Sequence, residues 1–200
     1  MIELQLLQAV RLKGRIAPAD LSATIGEDPA TVDEAVASLS ASGLLMTGNS
    51  LRLTTDGRAR LTELLAEERA GADHVAVAAA YSDFRSVNAD FKALVSDWQL
   101  RDGSPNAHDD ADYDAGVLAR LDRVHGQATP ILAAAAAQIP RLATYADKLC
   151  AALEKVRAGE TAWLTRPIVD SYHTVWFELH EELIVAAGLT REEEADAGHA

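Results

Sequence analysis

The sequence predicts a mainly α chain: short helices and a small β-hairpin at the N-terminus, followed by an antiparallel helical bundle. Three observations predict it. Apolar residues recur at intervals of three and four through most of the 200 residues, the spacing of one buried helix face. Glycines and prolines fall between those runs, where helices stop and start. Strand-like runs stand at 44–47 and 51–54, on either side of Gly48-Asn49-Ser50, a sequence suited to a tight hairpin turn.

In chain order, residues 2–12 place Leu4, Leu7 (or Leu6) and Val10 at helical spacing, and Gly14 breaks the run. Ile16 can add a one-bridge strand to the hairpin sheet. Leu21 and Ile25, four apart, mark a second helix ended by Gly26. Asp28 is a good N-cap for a third, with Pro29 at its first helical position. Val32, Val36 and Leu39 give that helix an inner face, and Gly43 stops it. After the hairpin, Thr55-Asp56 is expected to cap a helix carrying Leu61, Leu64 and Leu65 to about Arg69. Ala70-Gly71 marks the joint between two domains, 1–69 and 72–200.

Beyond the joint the pattern is helical throughout. Residues 72–100 carry Val75, Ala79, Phe84, Val87, Phe91, Leu94, Val95 and Trp98, and 101–112, rich in Gly, Pro, Asn and Asp, reads as a loop. Helices are predicted over 113–126, 130–139, 140–157 and 167–188, with Pro130, Pro140 and Pro167 setting the later starts. Short connections imply antiparallel neighbours. Residues 190–200 form an acidic tail, with Glu192-Glu193-Glu194 as one last turn. In 167–188, Ile168, Tyr172, Val175, Leu179, Leu183 and Ala186 form one apolar stripe. Val169, His173, Trp176, Phe177, His180 and Ile184 form a second, leaving Ser171, Thr174, Glu178, Glu181 and Glu182 as a polar face.

The N-terminal order of helix, turn, helix and two-stranded wing, with Leu21 and Ile25-Gly26, then Gly43-Leu44-Leu45, then Leu53-Thr54 and Gly57, resembles a winged helix-turn-helix domain of the MarR-like kind. The resemblance covers about the first third of the chain. It implies duplex DNA as a partner and a homodimer that sets two recognition helices about 34–36 Å apart. Farther on, D-F-K-A-L-V-S-D-W-Q-L-R-D from Asp90 and D-S-Y-H-T-V-W-F-E-L-H-E-E-L from Asp170 are similar to segments of an actinobacterial helical module. That module accompanies winged-helix regulators and regions attached to phosphoenolpyruvate-utilising enzymes. It implies a regulatory interaction domain, and no catalytic residue comes with it.

Charge qualifies the DNA reading. Eighteen basic residues face 31 acidic ones, a formal −13, where a polyanion-binding protein usually shows basic excess. Residues 1–60 hold six basic and seven acidic side chains, so most of the negative charge lies in the bundle. The lone Cys150 cannot form an internal disulfide and fits a reducing cytoplasm. The opening M-I-E-L-Q-L-L has no basic n-region, and the apolar runs at 75–81 and 131–139 are too short to span a bilayer. A soluble cytoplasmic protein with no membrane partner is expected.

On the recognition helix, Thr31, Asp33, Glu34, Ala37, Ser38 and Ala41 remain for a groove, and none is Lys or Arg. Thr31 and Ser38 can read bases, but the usual Arg-to-guanine contact is missing. Phosphate contacts fall to Arg52 on the wing, with Arg15 and the turn residue Asn49; Arg11, Lys13, Arg58 and Arg60 are the other cations within reach. Asp33 and Glu34 oppose a phosphate at roughly 1 kcal/mol each at ~4 Å in water.

The run Asp110-Ala-Asp112-Tyr-Asp114 imitates a calcium loop, but Ala115 and Leu121 stand where the glycine and the last glutamate are needed. Carboxylates favoured at a helix N-terminus explain it better. His173 and His180 lie seven residues, about 10.5 Å, apart along a helix and cannot chelate one ion. Asp170 can orient His173. Nucleophile elbow, phosphate loop and C-x-x-C are all absent from the sequence. No catalytic residue, metal or cofactor is therefore expected. Aromatic side chains can line an effector pocket between helices, with Trp98, Tyr172, His173, Trp176 and His180 as its candidates. Two function classes stay open: a DNA-binding transcription regulator whose bundle dimerises or senses an effector, and a protein-interaction module that docks on an enzyme partner.

Overall fold

The computed structural model describes residues 2–198, so the last two residues of the expected tail, 199 and 200, lie outside the described residues. Helix makes up 74% of it and its sheets are two hairpins of two strands each, which places it in the mainly α class. The chain divides into two compact units, residues 1–72 and 73–200.

The first unit runs α1 (Ile2–Lys13), α2 (Pro18–Ile25), α3 (Pro29–Ala41), β1 (Leu45–Met46), β2 (Arg52–Leu53) and α4 (Thr55–Ala70). Asp28 Oδ2 accepts from the Thr31 amide at 3.1 Å, the expected cap of α3. Gly26 ends α2 in the left-handed region at φ 74°, where a side chain is strained. Leu45 pairs with Leu53 and Met46 with Arg52, and Ile16 bridges to Leu51 as the third strand position. Strand alternation therefore sends Leu45, Leu51 and Leu53 into a core with Leu6, Leu7, Leu21 and Val32, and leaves Met46 and Arg52 outside.

The cap of α4 is Thr54, one residue earlier than expected. Its hydroxyl accepts from the Gly57 amide at 2.9 Å and donates to the Gly43 carbonyl at 2.7 Å. A Cβ at Gly57 would come within 2.0 Å of the Leu44 carbonyl oxygen. Thr54 and Gly57 thus lock the end of α3, the hairpin and α4 together.

The second unit runs α5 (His74–Gln99), β3 (Leu100–Arg101), β4 (Ser104–Pro105), α6 (Ala111–Gln138), α7 (Ala143–Arg157), α8 (Tyr172–Ala186) and α9 (Arg191–Asp196). Here α5 packs along α6 and against α8, and α7 packs against α6 and α8. Phe84, Phe91, Leu121, Leu149, Tyr172 and Leu179 fill the core.

Several sequence expectations change here. The buried face of α5 begins at Val77, Ala80 and Tyr81, while Val75 is 80% exposed and Ala79 is exposed. The expected loop 101–112 holds a second hairpin, Leu100 opposite Pro105 and Arg101 opposite Ser104, turning at Asp102-Gly103. The two helices expected over 113–126 and 130–139 are one, Ala111–Gln138: α6 passes through Pro130 because its buried face continues on both sides, from Leu121 and Val124 to Ile131, Leu132 and Ala135. Packing there outweighs the hydrogen bond that proline removes.

The eighth helix starts at Tyr172, not Pro167. Ser171 caps it, and Ile168 lies ahead of it at φ 72° and 97% exposure, outside any stripe. Its expected polar face is mostly inside: Ser171, Glu178 and Glu182 are buried. Glu182 accepts from Arg141 at 2.6 Å and from the Tyr145 hydroxyl at 3.2 Å, the pairing a buried carboxylate requires. The exposed positions are instead His173 and Phe177. The last turn expected at Glu192-Glu193-Glu194 is present as α9. Thr190 and Glu193 form a capping box at the start of α9, and Glu194, only 2% exposed, accepts from Arg85 and from the Tyr81 hydroxyl.

Candidate nucleic-acid interface and bundle cavity

In the first unit the predicted DNA-contact residues occupy two places. Thr31 and Ser38 are exposed on α3; Arg15 precedes the Ile16 bridge, and Asn49 and Arg52 belong to the hairpin, all three exposed. The Thr31 hydroxyl already faces Asp28 Oδ2 at 3.3 Å, so it serves the cap as well. Asp33 and Glu34 are exposed beside it.

Arg52 has company. A groove of about 270 Å³ where the end of α1, the hairpin and the start of α4 meet is lined by Arg11, Arg52 and Arg58, together with Val10, Met46 and Leu53. Strand β2 presents Arg52 because its neighbours Leu51 and Leu53 must face the core. Arg58 comes from the first turn of α4, held in place by the Thr54 cap. Arg11, from the end of α1, donates its Nε to Gln8 at 3.0 Å. Arg60 does not join them: it pairs with Glu3 at 3.0 Å and Glu63 at 3.2 Å. Three guanidiniums around one concavity concentrate positive charge in a unit whose residues 1–72 hold seven basic and ten acidic side chains.

In the second unit a cavity of about 340 Å³ opens between α5 and α8, at the edge of α9. Of the five expected pocket residues, His173, Trp176 and His180 line it. The other two do not. Trp98 is buried against the His108 ring, and Tyr172, with no exposed surface, packs on Phe91 and His125. Helix α5 supplies Asn88, Phe91, Lys92, Val95, Ser96 and Gln99, a stripe at offsets of three and four that the sequence displays openly. Leu100, Phe177 and Arg191 complete the wall, and the first two are exposed at 45% and 42%.

The cavity's polar groups are set by their neighbours. Trp176 Nε1 donates to Asn88 Oδ1 at 2.9 Å, fixing both side chains. His180 Nε2 lies 3.3 Å from the Tyr81 hydroxyl, which in turn donates to Glu194. Burial, then the nearby Arg191 charge, pull the His180 pKa down to about 4, so its imidazole is neutral near pH 7. Partial desolvation at the cavity mouth lowers His173 as well, although its side chain stays exposed on one side. Arg191 binds Glu181 and lies over the Phe177 ring at 4.9 Å from its centroid. Lys148, rather than His173, lies 3.2 Å from Asp170 Oδ2.

Two other clusters have structural roles. Asp110 Oδ1 caps α6 at the Tyr113 amide, 3.0 Å away, and its other oxygen accepts from Arg101. Asp114 accepts from Asn106 at 3.1 Å, beside His108 Nδ1 at 3.0 Å. His125 lies between the Tyr172 hydroxyl at 3.2 Å and Cys150 Sγ at 3.8 Å. Burial, then Arg157, hold His125 below its ordinary pKa, so a neutral ring faces the thiol and lends it no positive charge.

What sequence reading missed was convergence. Arg11 and Arg58 were visible as cations but not as neighbours of Arg52, since they come from three different elements. Lys92 and Phe177 were assigned to no site, although Phe177 sits at helical spacing from both His173 and His180. Comparison of the chain with family models, curated proteins and solved structures found no match.

Proposed function

We propose that this chain is a transcription regulator of the winged helix-turn-helix type. Residues 1–69 bind duplex DNA, and the helical unit 72–200 dimerises the protein or senses an effector. The observation that carries the reading is the arginine groove. In a chain of net charge −13, Arg11, Arg52 and Arg58 gather in one groove beside the hairpin, and a wing of this kind meets backbone phosphate or a minor groove. Base reading falls to Thr31 and Ser38 on α3, which gives modest specificity without an arginine–guanine pair. A homodimer supplies the two half-sites such a regulator needs.

One observation favours a second reading. Helix α3 exposes Asp33 and Glu34 and no cation, which suits a module docking on a basic surface of an enzyme partner. Fluorescence anisotropy with labelled genomic duplexes separates the two. Under the DNA reading Arg52→Ala weakens binding across all sequences, and Glu34→Gln strengthens it by removing an anion from α3. Under the docking reading the wild-type protein has negligible DNA affinity and neither substitution changes it.

A further inference from the structure

The cavity between α5 and α8 has a lining of opposite character to the unit that contains it. Residues 73–200 carry 21 acidic and 11 basic side chains. Yet the described lining includes Lys92, Arg191, His173 and His180 and no carboxylate. Its walls are aromatic: Phe91 and Trp176 stand with centroids 4.5 Å apart, and Phe177 borders the mouth. At about 340 Å³ the space is at the small end of ligand cavities, about 300–1,000 Å³, and suits one or two fused rings.

We propose that this cavity binds a small aromatic carboxylate, its rings against Phe91, Trp176 and Phe177 and its carboxylate at the Lys92–Arg191 rim. Aromatic walls favour a ring through stacked or edge-on contacts at centroid distances of about 4.5–7 Å. The rim favours an anion. Glu181 engages Nη1 of Arg191, one of the five donors of the guanidinium fork, and the Phe177 ring beneath holds the fork over the mouth. Neutral His180 and the Asn88–Trp176 hydrogen bond present dipoles rather than charge to the ring, so no cation is recruited to the interior. The His180–Tyr81–Glu194 chain ties the same wall to α9, whose first residue is Arg191. The cavity thus shares His180 and Arg191 with the contacts that tie α9 to the bundle.

This inference rests on the sensing role proposed above for the helical unit, and its test reads ligand binding alone, so failure to bind DNA leaves it untouched. The experiment is isothermal titration of the full chain with 2-naphthoate and, as a matched cation, 2-naphthylmethylammonium. Expected are saturable binding of the carboxylate and none of the amine at the same concentrations. Arg191→Gln should weaken 2-naphthoate roughly tenfold, the usual size of one lost charge-assisted contact. Arg191 also begins α9, so Lys92→Gln, on the exposed rim of α5, reads the same charge without disturbing that helix. Phe177→Ala should weaken both the ring contact and the Arg191 support. The proposal is overturned by no binding of 2-naphthoate to the wild type, by equal binding of the amine, or by full affinity in both charge variants.

Discussion

Thr54 and Gly57 show how single residues hold the hairpin that the proposed function depends on. The Leu44 carbonyl leaves no room for a Cβ at Gly57. Gly57→Ala should cost about 3 kcal/mol in urea unfolding, the upper range for forcing atoms into a filled space. Gly116→Ala is the control: its Cβ meets nothing within 4 Å on α6, and it should stabilise by roughly 0.5–1 kcal/mol. The identity of Gly57 was legible in the sequence as part of a motif, but its reason was not, because the Leu44 carbonyl approaches from a different element. His180 gives a pH signature. Its folded pKa of about 4 lies below the unfolded value of about 6.5, so between those values the unfolded chain binds more protons. Stability is full above about pH 6.5 and is lost as pH falls toward 4. Between pH 7 and pH 5 the wild type should lose about 2 kcal/mol more than His180→Gln. His173 and His125, also depressed, act in the same direction in both proteins and cancel from the difference. Equal pH slopes in the two proteins would refute the assignment.

Helices were legible wherever a period of three or four met a glycine or a cap, as in α1, α2 and α3. They were misread where a rule about proline was applied without packing. Pro130 reads as a helix start, yet it lies on the exposed side of a continuous α6 whose inner face is buried before and after it. Pro130→Ala restores a donor for the Gly126 carbonyl and relieves the ring, while giving the unfolded chain more freedom. The balance should stabilise the protein by about 2 kcal/mol, seen as a higher melting temperature with unchanged helical circular dichroism. Helix α8 was misread for a related reason. Its acidic residues look solvated by composition, whereas Arg141 and Tyr145 of neighbouring elements take Glu182 inside. Ion pairs between distant positions leave no periodic trace. The same holds for Glu194, where a run of three glutamates conceals one that is buried against Arg85 and Tyr81.

For the whole molecule, the mainly α class and the hairpin followed from sequence, and three of the five pocket candidates line the cavity. The arginine groove did not follow, because its members come from α1, β2 and α4. The proposed regulator should sediment as a dimer at roughly tens of micromolar, since two half-sites need two first units; a monomer there would contradict that part of the proposal. The proposed DNA contact runs through the groove arginines of the first unit, and a salt titration of duplex binding is its sharpest test. Each phosphate contact contributes about 0.9 to the slope of log K against log salt on B-DNA. Arg52→Ala should therefore flatten the wild-type slope by about 0.9 for each protomer engaged, with Arg58→Ala acting alike. A wild-type protein that fails to bind duplex DNA even at about 50 mM salt, or a slope that both variants leave unchanged, would contradict it.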